Sequence, residues 1–184
     1  MTDVARSTTT QAALELAQEF IRAVEAKNFD SVAQTLSPDA HQLFMHAGRT
    51  RTAQDIANIV SSRKKGFCVA DVKGKAEIMD YYSALFRKFT PLTWRDHQWT
   101  VSDNGQVFFS GNGDMLVTWN QKPYRNNYVT RFDVENGQIV NLAEYANAFM
   151  YSRLGVRPNG TEFRALLRAI GRMVNPWQSS TSGS

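Results

Sequence analysis

The chain has 184 residues, 42% hydrophobic and 11% aromatic, a composition that excludes a disordered or fibrous chain and fits one domain with a real core. Net charge is +4, but the basic residues (Arg49 and Arg51, Arg63-Lys64-Lys65, Arg87-Lys88, then Arg164, Arg168 and Arg172) are scattered, without the dense stripe of a nucleic-acid groove. Cys68 is the single cysteine and rules out an intrachain disulfide; no run approaches the ~18 apolar residues of a membrane span, and the N-terminus lacks a secretory core, so a cytoplasmic protein with neither nucleic-acid nor membrane partners is expected.

Residues 1–9 are polar and read as a disordered N-terminus. A first helix is expected from a cap at Thr8, Thr9 or Thr10 to about Lys27, with Leu14, Ala17, Ile21 and Val24 at helical spacing. Asn28 breaks it. A short second helix should turn Phe29, Val32, Ala33 and Leu36 inward and end at Ser37-Pro38-Asp39. His41–His46 reads as a strand. Residues 47–72 resist assignment beyond a candidate helix, Ala53–Ser61, and a basic glycine-containing link. A third helix begins near Lys75; Ile78, Met79, Tyr82, Leu85, Phe86 and Phe89 form its apolar stripe and Pro91 stops it.

Four strands follow, at about Gln98–Ser102, Val107–Thr118, Tyr124–Val134 and Ile139–Asn147. Gly111 and Gly113 inside the second of these point to a bulge or a sharp bend. Phe163, Leu166, Leu167 and Ile170 give an amphipathic helix over about 161–173 within a tail at 156–174, and residues 175–184 read as disordered. Helices first and strands last is the α+β order. The expectation is one cone-shaped domain over 10–155, with a strongly curved antiparallel sheet wrapped over three helices, plus the C-terminal tail helix. A cone of this kind encloses a cavity suited to a small hydrophobic molecule.

Glu144 is the most informative residue. It lies on a face otherwise made of Val140, Leu142 and Ala146, and an apolar face raises a carboxyl pKa toward the range of a neutral-pH acid or base. The register of the preceding hairpin decides its surroundings. A two-residue Asn136-Gly137 turn pairs Val129 with Glu144 and brings Arg131 within diagonal reach. A three-residue loop with Gly137 left-handed pairs Tyr128 with Glu144 and joins the Tyr124, Tyr128 and Phe132 face to Val140 and Leu142. The second register is favoured because it unites the apolar faces. Glu144 paired with Arg131, or turned to solvent, is the plain alternative.

Tyr128 and Tyr81 are candidate hydrogen-bond donors to a substrate oxygen, with core or rim packing as the alternative for each. Asn126 either orients a ligand or satisfies backbone at the sheet edge. Tyr82, Phe86, Trp94, Phe109, Met115, Phe132 and Leu142 are the expected walls, and His46, beside Phe44 at the end of the first strand, is a candidate for the cavity mouth, with a surface or structural role as the alternative. Asp114 is a weaker second carboxylate. His41, His46 and His97 form no metal-ligand spacing, Cys68 has no evident base, and the glycines lack the helix that a phosphate loop needs, so neither metal nor cofactor is expected.

The order of elements over roughly 15–155 resembles the nuclear transport factor 2-like superfamily, which includes ketosteroid isomerase, limonene epoxide hydrolase and the SnoaL-like polyketide cyclases. Phe20–Leu43, with its Asn28-Phe29-Asp30 turn and Ser-Pro-Asp-Ala entry to a strand, matches the opening of that fold. Tyr124, Asn126, Phe132, Glu135, Gly137, Ile139, Glu144, Asn147 and Phe149, followed by Leu154-Gly155, make the C-terminal half most similar to the phenazine-biosynthesis A/B proteins; Phe89 and Trp94 match as well. The resemblance implies a homodimer with one pocket per subunit, no metal or organic cofactor, and Glu144 as the pocket glutamate. The helix-three position that carries an acid/base histidine in the phenazine proteins aligns with Tyr81, which points to a different substrate in the same cup. Together these lead to a cofactor-independent proton-transfer enzyme (isomerase, cyclase, dehydratase or epoxide hydrolase type) on a hydrophobic oxygenated or cyclic metabolite. A non-catalytic small-molecule-binding or accessory dimer is the rival reading, and a scaffold with a filled cavity the third.

Overall fold

The computed structural model describes residues 2–46, 67–147 and 150. Within them the chain runs α1 (Thr2–Glu25), α2 (Phe29–Thr35), β1 (Leu36–His46), β2 (Phe67–Lys73), α3 (Lys75–Lys88), β3 (Trp94–Val101), β4 (Val107–Leu116), β5 (Pro123–Glu135) and β6 (Gln138–Ala146). The candidate helix at 53–61 and the tail after residue 155 lie outside the described residues.

Helical periodicity places Ala13, Ala17, Phe20, Ile21 and Val24 on the buried face of α1. The helix starts at Thr2 and not at the expected threonine cap, so the N-terminal residues read as disordered are drawn into it. Lys27, left-handed at φ 54, ends the connection. Its ammonium donates to the Phe86 carbonyl at 2.9 Å and to Thr90 Oγ1 at 2.7 Å, tying the end of α1 to the end of α3. Asn28 caps α2 by accepting from the Ser31 amide at 3.1 Å. Val32, Thr35 and Leu36 point inward, but Phe29, expected to do the same, is 42% exposed.

Two strand assignments differ from the sequence expectation. Ser37-Pro38-Asp39 does not end a helix; it lies inside β1, where pairing to β6 skips from Leu36 to His41 and so spares Pro38 the amide it lacks. β2 lies in the stretch that resisted assignment and pairs antiparallel with β1. The sheet order is β2-β1-β6-β5-β4-β3, and β1 runs parallel to β6, so the curved sheet is mixed and not wholly antiparallel. No hairpin joins β1 to β6, and nothing local dictates their relative direction. The three helices and the six-stranded sheet form an open cone. Phe20 of α1 lies 5.6 Å from the rings of both Tyr82 and Phe132, which joins α1, α3 and β5 in the core.

Gly111 and Gly113 do not break the β4–β5 ladder, which runs without a register shift from Val107 to Leu116. The irregularity is on the other side, in β3, between Arg95 and Gln98, opposite Gly111. The glycines instead make room for rings. A Cβ at Gly111 would come within 2.6 Å of the Phe109 ring and 3.1 Å of Trp94 Cβ; one at Gly113 would come within 2.7 Å of the Tyr128 ring. Overpacking of this kind costs about 1–3 kcal/mol. Gly111→Ala should therefore lower the urea midpoint without changing the slope, and an unchanged midpoint would show that the rings move aside freely.

Candidate active site

The β5–β6 hairpin turns at Asn136 (φ 51) and Gly137 (φ 72), both left-handed as a two-residue mirror-image turn requires, with Glu135 paired to Gln138. This is the turn expected to leave Arg131 near Glu144, yet it does not. A bulge follows at once: Val134 pairs with Ile139 and Asp133 with Asn141, so Val140 is the extra residue. Beyond it Thr130 faces Glu144 and Phe132 faces Leu142. Even-numbered residues of both strands thus share the inner face, as in the favoured register. The partner of Glu144 is Thr130 and not Tyr128, and Ile139, fully buried, takes the inward place expected of Val140.

Glu144 has Thr130 on one side and Phe44 of β1 on the other. Among the described residues no hydrogen bond or ion pair reaches its carboxylate. Some of its surface stays open, but burial in the surrounding protein pushes the carboxyl up to about 7. Arg131 lies on the opposite face. It is completely buried and donates to Asp133 at 2.9 Å, and Asp133 also accepts from Gln106 and Asn141, each at 2.7 Å.

Two phenols feel the Glu144 charge. Burial, and after it the glutamate, push the Tyr82 hydroxyl far above its ordinary range, while a hydrogen bond from Gln42 Nε2 at 3.1 Å pulls the other way. Tyr124 is raised chiefly by burial, with the hydrogen bonds of Tyr128 and Asn126 opposing and Glu144 adding a smaller push. Tyr128 Oη donates to Tyr124 Oη at 3.1 Å, and Asn126 Nδ2 donates to the same oxygen at 2.9 Å. Asn126 also clamps the chain after β6, donating to the Asn147 carbonyl at 3.0 Å and accepting from its amide at 3.2 Å.

The other expected residues fall around these groups. Tyr81 packs 4.9 Å from Phe44, the β1 partner of Glu144, and 5.2 Å from Tyr82. Phe86 stands 5.9 Å from Tyr82. The Trp94 ring stands edge-to-face with Phe109 and Tyr128, and its indole N–H is buried with no hydrogen-bond partner among the described residues. Phe109, Met115, Phe132 and Leu142 are buried core residues of the inner face. His46 closes β1, with its side chain outside the described residues. Gln42 and Tyr124 were not among the expected site residues. The signal for Gln42 was present: the inward positions of β1 are Ala40, Gln42 and Phe44, and a lone amide in that series marks the wall as Glu144 does in β6.

Asp114 belongs elsewhere. It faces outward and pairs with Arg95 and, at 3.2 Å, with Arg125. A groove of about 620 Å³ is lined by these three with Asp96, Asn112, Asn127 and, from the expected site, Asn126 with its partner Asn147; Glu144 does not line it. Two arginines and two aspartates share the groove, with Asp114 paired to both arginines. His97 is structural, 3.0 Å from the Trp94 carbonyl and 3.4 Å from Glu25. Among the described residues no three His, Cys, Asp or Glu side chains gather as a metal site, and no helix is long and apolar enough to cross a membrane.

The cone of three helices and a curved mixed sheet is similar to solved structures of low identity, which speak for the fold alone. A phenazine biosynthesis-related protein from Pseudomonas aeruginosa superposes with a TM-score of 0.63 at 12% identity, covering 87% of this chain and 92% of that one. A putative isomerase from Bacillus subtilis gives 0.61 at 19% identity, covering 79% and 93%. An NTF2-like protein from Burkholderia xenovorans gives 0.58 at 10%, covering 78% and 95%. No functionally curated protein matches the sequence significantly. The family described as the SnoaL-like domain matches residues 17–142, more than half of the chain, and the protein therefore belongs to the SnoaL-like domain family with an NTF2-like fold.

Proposed function

We propose that the protein is a cofactor-independent acid/base enzyme, of the isomerase, cyclase, dehydratase or epoxide hydrolase type, acting on a small hydrophobic oxygenated or cyclic molecule held in the cone. The observation that carries the reading is the Glu144 carboxyl, pushed up to about 7 by burial, with no cation beside it among the described residues. Near neutral pH such a group is present in both forms, so it can take a proton from one substrate atom and return it to another. Tyr81 is proposed as a donor to the oxygen that gains charge, and Tyr128 as a second once its single hydroxyl proton, which goes to Tyr124 in this structure, turns to the ligand; Asn126 then still holds Tyr124 in place. Phe86, Trp94, Phe109, Met115, Phe132 and Leu142 would position the molecule, and His46 would stand at the mouth. We take the working form to be a cytoplasmic homodimer with one cup per subunit; family membership supports the assembly and the single cysteine a reducing compartment.

One observation favours a second reading, a non-catalytic binding module. Glu144 has no titratable carboxylate or histidine beside it among the described groups, and a single protonated carboxyl suffices to hold a ligand oxygen. The two readings separate on Glu144→Gln. In a screen of cyclic ketones and epoxides, the enzyme reading expects wild-type turnover that falls at least about 100-fold in the variant. The binding reading expects every compound to be recovered unaltered.

The raised carboxyl also fixes a pH dependence of stability. Below the ordinary value of 4.5, Glu144 is protonated in both folded and unfolded chains. Between about 4.5 and about 7 the unfolded chain ionises while the folded one keeps its proton, so this group's contribution to stability is lost as pH rises through that window. Glu144→Gln lacks the titration. Relative to wild type it should gain up to roughly 3 kcal/mol between pH 4.5 and 7.5, read from urea curves. Parallel pH profiles would show that the carboxyl is not raised.

A further inference from the structure

Gln42 is 1% exposed and lies on the inner face of β1, between Val72 of β2 and Leu142 of β6. Its amide nitrogen is committed to Tyr82 Oη, and its side-chain carbonyl, equally buried, has no hydrogen-bond partner among the described residues. A glutamine kept only to hold Tyr82 would leave that acceptor desolvated for nothing, a cost that a leucine in the same place avoids. Glu144 stands on the same face one row further along: Leu142 is the β6 partner of Gln42, and Phe44 the β1 partner of Glu144. Two residues of strand separate the rows by roughly 7 Å, about the length of a small ring system.

We propose that Gln42 is a ligand-reading residue on the inner face, one row from Glu144, its enclosed side-chain carbonyl accepting a hydrogen bond from a hydroxyl of the molecule that Glu144 acts on. The proposal rests on the acid/base reading for the identity of the site and adds the substrate class: an apolar, ring-sized molecule bearing a hydroxyl about one ring away from the atom that exchanges a proton. A hydroxyl is specified because the unpaired atom is an acceptor. An ether or a ketone at the same point would set oxygen against oxygen, and a hydrocarbon would leave the acceptor buried and unpaired.

The test uses three probes of one shape on the full chain: 2-naphthol, 2-methoxynaphthalene and naphthalene, titrated calorimetrically. Wild type should bind 2-naphthol about tenfold more tightly than either of the others. Gln42→Leu should erase that preference by weakening 2-naphthol to the level of naphthalene. Gln42→Met, unbranched and close in volume, should do the same if leucine perturbs folding. Glu144→Gln should keep the preference. Equal binding of the three probes by wild type, no binding of any, a preference for the methoxy probe, a preference that survives both Gln42 variants, or one lost in Glu144→Gln alone would each overturn the proposal. So would a crystal structure of the 2-naphthol complex with only water at the Gln42 carbonyl. The acid/base reading fails separately: an ordinary Glu144 titration would sink it while leaving a Gln42-dependent preference for 2-naphthol intact.

Discussion

Val140 adds one residue to β6 between a two-residue turn and Glu144, and that residue decides which side chains look into the cone. Without it the turn would pair Val129 with Glu144 and set Arg131 on the glutamate's face, where a guanidinium would hold the carboxylate ionised. With it, Arg131 faces outward to Asp133, and Glu144 faces inward among Thr130, Phe44 and two phenols. One bulge thus separates a buried cation from a buried acid across the thickness of a single sheet.

The inner wall consequently holds polar groups that the fold itself leaves unused. Among the described residues Glu144 lacks a counter-charge, the Gln42 carbonyl lacks a donor, and the Trp94 indole lacks an acceptor. The neighbouring groups are satisfied: Tyr124, Tyr128 and Asn126 bond one another, and Asn126 clamps the chain after β6. Buried polar atoms without partners reduce stability, and among the described residues they occur on both faces of the sheet, Tyr145 Oη being one on the outer face. Gly111 and Gly113 serve the inner wall by letting the Phe109 and Tyr128 rings lie flat over β4.

Much of this was legible in the sequence wherever periodicity was strong. The stripes of α1 and α3 and the four C-terminal strands follow from spacing, whereas the inward facing of Glu144 depends on the hairpin register. The turn was misread because Asn136-Gly137 suits either loop length, and only the tertiary demand to bury Ile139 and Leu142 selects the two-residue turn with a bulge. β2 was missed because its seven residues take their place from pairing with β1, a long-range contact with no local signature. Gln42 is hard to see in sequence because Ser37-Pro38-Asp39 hides the true start of β1 at Leu36, so that Ala40, the first member of the inward series, reads as lying outside the strand. Phe29 shows the converse, an apolar residue at a helical position left in solvent because α2 is too short to bury a full stripe.

The central claim is that burial keeps Glu144 protonated near neutrality. Infrared difference spectra of wild type against Glu144→Gln, taken from pH 4 to 9, isolate its carboxyl band directly. A protonated carbonyl stretch that persists above pH 6 and disappears with a midpoint near 7 is the result this account requires. A band already gone by pH 5 would mean a solvated carboxylate, and the wall around Glu144 would then be the wall of a binding site without an acid.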